Sequence, residues 1–118
     1  MPRSDSLGQF EQLVLTSVVT LGDNAYGVTI HKKVNELASS KVVTLGAIYV
    51  ALDRLEDKGF VSSWLSEPTA ARGGRAKRCY RLELPGERAL KDSLATARRM
   101  AVSVTPIWGD PDKEFGQA

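Results

Sequence analysis

The sequence predicts a mainly α-helical fold with one small β-hairpin. Three consecutive segments space their apolar residues as helices do, and the next segment is rich in aromatic and branched residues on both sides of a glycine-containing turn. Three helices followed by a hairpin is the order of a winged helix-turn-helix, in which the third helix enters a major groove of DNA. We expect a flexible tail at 1–6, a winged-helix DNA-binding domain at 7–84, a C-terminal dimerisation helix at 85–104 and a tail at 105–118.

Composition limits the class of protein. A chain of 118 residues, 42% hydrophobic and 25% charged, fits one small globular domain, and a net charge of +2 does not by itself indicate a partner. The single cysteine, Cys79, cannot form an intramolecular disulfide, which fits a reducing compartment. No apolar run approaches the roughly 20 residues that cross a bilayer, and the first six residues lack the apolar core of a signal peptide. We therefore expect a cytoplasmic protein with no membrane partner.

The first two helices are predicted at 9–21 and from Asn24 to about residue 38. In the first, Leu15 and Val19 form a second apolar stripe beside the main one, so this helix should be covered on two faces. In the second, Asn24 is a plausible N-cap. Its polar residues, His31 and Lys32 among them, should point to solvent.

The third helix is predicted from a cap at Thr44 to a stop at Gly59. Its core stripe consists of apolar residues spaced by three and four: Leu45, Ile48, Leu52 and Leu55. Thr44, Gly46 and Tyr49 lie away from that stripe and offer two hydroxyls and an exposed backbone. Such a surface can meet a polar ligand as long as DNA.

The hairpin is predicted from strands at 60–66 and 77–84, joined by a long tip that contains Gly73 and Gly74. Between Glu67 and Glu83 the chain carries five cations and no acid: Arg72, Arg75, Lys77, Arg78 and Arg81. Such a cluster can neutralise DNA phosphates. A solvated hairpin whose charges only aid solubility is the alternative, and the helix order favours DNA.

The last helix is predicted from Pro85 to about Ser103, with Pro106 and the residues after it ending the regular helix. Its apolar residues follow the four- and three-residue spacing of a short coiled coil: Leu90, Leu94, Ala97, Ala101 and Val104. We expect a second copy of the chain to bury this seam. Leu15 and Val19 are the expected contact surface for the partner's last helix. The alternative is that the helix folds back on its own first helix.

Four stretches together resemble the PadR family of bacterial transcription regulators over roughly residues 7–98: LGQFEQLVL, LGDNAYGVTI, TLGAIYVALDRLEDKGFV and EPTAARGGRAKRCYRLELPGERAL. The resemblance implies a repressor that binds an inverted-repeat operator as a homodimer. Two departures stand out. Glu83 replaces the threonine usual before the last helix, so the start of that helix can shift by a residue or two. The chain also ends soon after Pro106, as in the short subfamily with one C-terminal helix.

The predicted DNA-binding residues come from the second and third helices and the wing: Lys32, Lys41, Thr44, Gly46, Tyr49, Arg72, Arg75 and Lys77. We expect Tyr49 to bind phosphate rather than a base. Lys32 and Lys41 can flank the groove as phosphate contacts, although each can equally be a solvated lysine.

Other functions have weaker signals. Some PadR-like regulators bind flat hydrophobic compounds in the dimer cavity, and Trp64 and Trp108 can stack on such an effector or simply pack in the core or tail. A winged-helix module that binds protein would not need so many unopposed cations. His31 is more plausibly a surface residue than a metal ligand, and Cys79 can be a redox sensor or, more commonly, a packed thiol. No catalytic constellation assembles around one histidine, so we expect neither an enzyme nor a cofactor.

Overall fold

The computed structural model describes residues 7–39, 42–67 and 76–110. The helices are α1 (Gln9–Leu21), α2 (Gly27–Ala38), α3 (Leu45–Asp57) and α4 (Leu84–Trp108), and the strands are β1 (Val61–Leu65) and β2 (Arg78–Leu82). The two strands pair antiparallel, from Val61 opposite Leu82 to Leu65 opposite Arg78. The predicted fold class, mostly helical with a hairpin after the third helix, is confirmed. The predicted tail at 1–6 lies outside the described residues.

Helix α1 lies at the centre of the core, where it contacts α2, α3, β2 and α4. Its Val14 and Leu15 are completely buried, while Val19 is 50% exposed. The prediction that Leu15 belongs to a partner-facing stripe is therefore wrong, because α1 is enclosed by its own chain on that side. Of the two residues predicted for that stripe, Val19 is the one that lies at the surface.

Helix α3 has the ends that the sequence predicts. The Thr44 hydroxyl accepts a hydrogen bond from the Ala47 amide at 3.2 Å, and Gly59 adopts the left-handed φ of 80° just after the helix. Ile48, Leu52 and Leu55 are fully buried. The opposite side of the helix is consequently left at the surface.

Helix α2 begins three residues later than Asn24, which lies in a short 3-10 turn, Gly22–Asn24. The Thr29 hydroxyl accepts from the Tyr26 amide at 3.0 Å and donates to the Asn24 carbonyl at 2.6 Å. Thr29 therefore supplies the polar contacts at this helix start, and the predicted Asn24 cap is wrong.

The segment before α2 also joins the wing. The Tyr80 amide donates to the Ala25 carbonyl at 2.9 Å, and Tyr26 forms a bridge to Cys79. An isolated hairpin is marginal in water, so this extra pairing ties β2 to the helices. The sequence pattern did not predict it, because a single bridged residue leaves no alternating run.

Helix α4 begins at Leu84, directly after Glu83, and continues through Pro106 to Trp108. The prediction that the regular helix stops before Pro106 is wrong. A proline in the last turn removes only one hydrogen bond, and Gly109, with φ of 85°, ends the helix while its amide bonds to the Thr105 carbonyl at 2.8 Å.

The two halves of α4 differ in burial. Gly86, Ala89 and Leu90 are buried against the rest of the chain, and α4 contacts α1. The alternative of folding back on the first helix is thus realised for the first two turns, and Leu90 is core rather than free dimer surface. The second half exposes large apolar side chains: Leu94, Met100, Val102, Ile107 and Trp108.

Candidate nucleic-acid interface

The exposed side of α3 presents an uncharged polar surface at its first turns. Thr44 caps the helix, and Gly46 has open space where a side chain would be. Tyr49, one turn later, is 40% exposed. The buried stripe fixes the rotation of α3 about its axis, and Thr44, Gly46 and Tyr49 are each exposed at its N-terminal end.

Tyr49 is held in place by the start of α2. A Cβ atom added to Gly27 would overlap the Tyr49 hydroxyl and ring, so the phenol lies directly against the backbone of Gly27. Gly27 is buried at the start of α2, and its absent side chain leaves the space that the aromatic ring of Tyr49 occupies.

The connection between α2 and α3 is bound by two side chains of α2. His31 Nε2 lies 2.6 Å from the Val43 carbonyl oxygen. The Asn35 amide accepts from the Val43 N–H at 2.8 Å and donates to the Val43 carbonyl at 3.2 Å. Both side chains were expected to point to solvent, and both are instead partly buried against the residue that precedes the α3 cap.

The cations at the base of the wing have partners within the chain. Lys77 Nζ lies 3.6 Å from the centre of the Tyr26 ring, and Arg78 donates to the Ser63 hydroxyl at 2.9 Å. Arg81 lies 3.4 Å from the Glu83 carboxylate. The prediction that the wing cations are unopposed is therefore wrong for Arg81, because the acid that follows the run in sequence is its neighbour at the end of β2.

Glu83 has a structural role beyond that pair. Its carboxylate accepts a hydrogen bond from Ser62 on β1, and this bond, together with the weaker contribution of Arg81, lowers the pKa of Glu83. The residue precedes α4 without capping it by its side chain. The carboxylate instead links the two strands at the point where the wing ends.

Three predicted contacts, Lys41, Arg72 and Arg75, lie outside the described residues. Lys32 lies on the surface of α2. The neighbouring Lys33 approaches Glu36 to 4.0 Å. Of the predicted residues that the structure describes, Thr44, Gly46 and Tyr49 are exposed at the start of α3, and Lys77 lies over the ring of Tyr26, the residue that precedes α2.

A cleft of about 570 Å³ separates the wing from α4. Trp64 and Arg81 form its wing side, and Val19, Leu90 and Leu94 are among the apolar residues that line it. Trp64 is 42% exposed, with the Arg81 guanidinium 5.6 Å from its ring centre. Trp108, at the far end of α4, does not line this cleft, so the two tryptophans are not brought together in one chain.

The remaining candidates are the single cysteine, a metal site and a membrane-spanning helix. Cys79 is 5% exposed, as a packed strand thiol is. Among residues 7–39, 42–67 and 76–110, no three histidine, cysteine or acidic side chains are grouped as a metal would require. Within the same ranges, no helix combines the length and the apolar character needed to cross a membrane.

Comparison with known proteins identifies the family and the fold. The model of the transcriptional regulator PadR-like family matches residues 15–92. A PadR family transcription regulator from Clostridium difficile is 28% identical with a TM-score of 0.69, over 86% of this chain and 100% of that one. A PadR-like transcription factor from Bacteroides fragilis is 26% identical with a TM-score of 0.64, over 85% and 90%.

The structure of Bacillus subtilis PadR in complex with operator DNA is also similar, with 24% identity and a TM-score of 0.60 over 71% of this chain and 46% of that one. At this identity the likeness shows a shared fold. No curated protein matches the chain.

Proposed function

The chain belongs to the PadR-like family of transcriptional regulators, and on this premise we propose that it is a homodimeric repressor that binds an inverted-repeat operator in double-stranded DNA. The observation that carries the proposal is the polar, uncharged N-terminal tip of α3, where Thr44, Gly46 and Tyr49 are all exposed. A protein of the same fold, Bacillus subtilis PadR, has been solved with its operator.

The contacts divide into two kinds. Thr44 and Gly46 approach base edges or the sugar-phosphate backbone at the floor of the groove, while the Tyr49 hydroxyl donates to a phosphate. Lys32 and Lys41 neutralise phosphates beside the groove, and the wing residues Arg72 and Arg75 do so on its flank. Lys77 has three donors, so its ammonium can hold a phosphate while it rests on the Tyr26 ring.

The dimer is formed through the second half of α4. The seam positions Leu94, Ala97, Ala101 and Val104 continue past the point where the chain's own core ends, and the exposed Val19 lies in the adjoining cleft. A two-fold axis through this seam would set two α3 helices about 34 Å apart, one turn of DNA. A near-palindromic operator follows from that symmetry.

The test is selection of bound duplexes from a library of random sequence, followed by anisotropy titration of the selected duplex and of a scrambled one. We expect a motif with two-fold symmetry and clearly tighter binding to it. Enrichment of no motif, or equal affinity for both duplexes, would contradict sequence-specific recognition.

Two neighbouring lysines provide a matched pair for the phosphate contacts. Lys32→Ala should weaken binding to both duplexes alike and reduce the slope of log affinity against log salt by about one. Lys33→Ala, which removes a lysine facing Glu36, should leave that slope unchanged. Equal slopes for the two variants would remove Lys32 from the interface.

A second candidate function rests on the cleft beside Trp64. We propose that a flat aromatic effector enters between the wing and α4 and stacks on Trp64, since the cleft is lined mainly by apolar residues and opens beside the indole. Titration with a panel of aromatic drugs and phenolic acids should quench tryptophan fluorescence in the wild type and in Trp108→Phe, but not in Trp64→Phe. A response that persists without Trp64 would contradict this site.

A further inference from the structure

The connection between α2 and α3 spans residues 39–44, six residues, whereas helix-turn-helix connections often have three or four. It starts at Ser39, whose φ of 60° is unusual for a residue with a side chain, and whose amide bonds to the Asn35 carbonyl at 3.3 Å. A connection of this length does not by itself fix the orientation of the helix that follows relative to the helix that precedes it. Side chains must supply the missing constraint.

His31 and Asn35 supply it at Val43. They lie four residues apart and so share one face of α2. The Asn35 amide pairs with the Val43 N–H at 2.8 Å and with its carbonyl at 3.2 Å, and His31 approaches the same carbonyl to 2.6 Å. Because a carbonyl oxygen only accepts, the His31 nitrogen at that position carries the proton.

Val43 is the residue next to the α3 cap. Its side chain packs against the hydrophobic core, and Thr44 follows it with its hydroxyl on the Ala47 amide. Three side-chain hydrogen bonds therefore hold the residue that precedes Thr44, the cap of α3.

We infer that His31 and Asn35 are positioning residues for sequence recognition: by holding both backbone groups of Val43, they fix the orientation of the α3 tip relative to α2. This rests on the proposed DNA-binding function and assigns to it two residues that act through their hydrogen bonds to Val43. Loss of either residue should therefore weaken sequence-specific binding more than non-specific binding. Hydrogen bonds to base edges require fixed geometry, whereas non-specific binding depends on the charge presented to phosphates.

The functional test compares affinity for the selected duplex with affinity for a scrambled one. His31→Leu and Asn35→Asp should each reduce that ratio by about tenfold, roughly 1.4 kcal/mol. Non-specific affinity should stay within about twofold for His31→Leu, because neutral histidine and leucine carry the same charge. His31→Gln, whose terminal amide can still donate to the Val43 carbonyl, should retain most of the ratio. Glu36→Gln, an exposed substitution on the same helix, is the control.

The geometric test uses the wild-type protein without DNA. At pH 8 the ring-nitrogen NMR shifts of His31 should show Nε2 protonated and Nδ1 unprotonated, and the Val43 amide should exchange slowly with solvent. A protonated Nδ1 or a rapidly exchanging Val43 amide would overturn the inference, whether or not any variant folds.

The two proposals fail in different ways. If the wild type discriminates between duplexes and His31→Leu and Asn35→Asp discriminate equally well, the positioning role is overturned and the proposed function stands. If the wild type does not discriminate at all, both are overturned, even with the Val43 contacts confirmed by NMR.

Discussion

Helices α3 and α4 carry apolar stripes of similar spacing, but the chain buries them to different extents. In α3, Ile48, Leu52 and Leu55 are fully enclosed. In α4, burial ends at Leu90, and Leu94, one turn later, is 47% exposed. Helical spacing thus predicts that an apolar face is buried. Only the three-dimensional packing shows whether residues of the same chain bury it.

The largest difference in stability should appear when one leucine of the apolar stripe is replaced by alanine on each helix. Leu52→Ala leaves a cavity in the core and should reduce the free energy of unfolding by about 2–5 kcal/mol. Leu94→Ala removes a side chain that is already half in water, and at low protein concentration it should cost less than about 1 kcal/mol. Urea denaturation of both variants measures the difference. Equal losses would mean that α4 is as well enclosed as α3.

A charged residue on the α4 seam tests whether a second copy of the chain buries this seam. Ala101→Glu should raise the dissociation constant of the dimer at least about tenfold, because the carboxylate would be desolvated at the seam. Light scattering should then report a mass near the 12.8 kDa of one chain. Ser103→Glu, on the same helix but off the seam, should remain dimeric. A wild type that is monomeric at all concentrations would contradict the proposed dimer.

The N-terminal part of α4, which packs against the rest of the chain, should be destabilised by even one added methyl group. A Cβ on Gly86 would overlap the Phe60 carbonyl oxygen, which is backbone and cannot turn away. Gly86→Ala should therefore destabilise the fold by about 1–3 kcal/mol, despite the higher helix propensity of alanine. Thermal unfolding followed by circular dichroism measures this. A rise in melting temperature would show that α4 is not seated on Phe60.

The same change on α3 should have the opposite sign. Gly46 has nothing within 4 Å of an added Cβ, so Gly46→Ala should stabilise the fold by about 0.5–1 kcal/mol. Operator affinity should nevertheless fall if DNA approaches this backbone. Increased stability with unchanged affinity would exclude Gly46 from the interface.

The smallest effect concerns the ion pair between α1 and the end of α3. Lys58 Nζ lies 2.8 Å from the Glu11 carboxylate. Partial burial acts to raise the pKa of Glu11, but hydrogen bonds from Lys58 and the Gly8 amide outweigh it and lower the pKa. Since the carboxylate form is favoured by folding, the pair stabilises the fold at neutral pH and is lost as pH falls through the lowered pKa.

Glu11→Gln should therefore cost less than about 1 kcal/mol at pH 7, and this cost should decrease as the pH is lowered and the wild-type carboxyl takes up a proton. Urea midpoints measured at pH 7 and at a series of lower pH values check the sign. A cost that does not change with pH would assign the effect to packing instead of charge.

The features predictable from the sequence are those set by short-range patterns. The bounds of α1 and the Thr44 cap of α3 follow from spacing and local hydrogen bonding. The errors at Asn24, Leu15 and Pro106 depend on which segments meet in space. Thr29 replaces Asn24 at the start of α2, the core encloses Leu15, and a proline in the last helical turn is tolerated.

The candidate site shows the same limit. Residue type and helical spacing placed Thr44, Gly46 and Tyr49 away from the core stripe, and all three residues are exposed. Spacing could not indicate that His31 and Asn35 turn inward, because their partner is a backbone group whose position depends on the connection. The contact of Lys77 with Tyr26 likewise joins residues far apart in the chain.

The contact between Gly27 and Tyr49 constrains how this surface can diversify. A side chain at position 27 would overlap the Tyr49 hydroxyl and ring, so position 27 can gain bulk only where the residue at position 49 moves or is smaller. Gly27→Ala alone should push the phenol outward and disturb operator binding, while Gly27→Ala combined with Tyr49→Ser should restore a compact helix junction with a different groove-facing group. In the proposed function, these two coupled positions, one on each helix, offer a route by which this fold can change its operator preference.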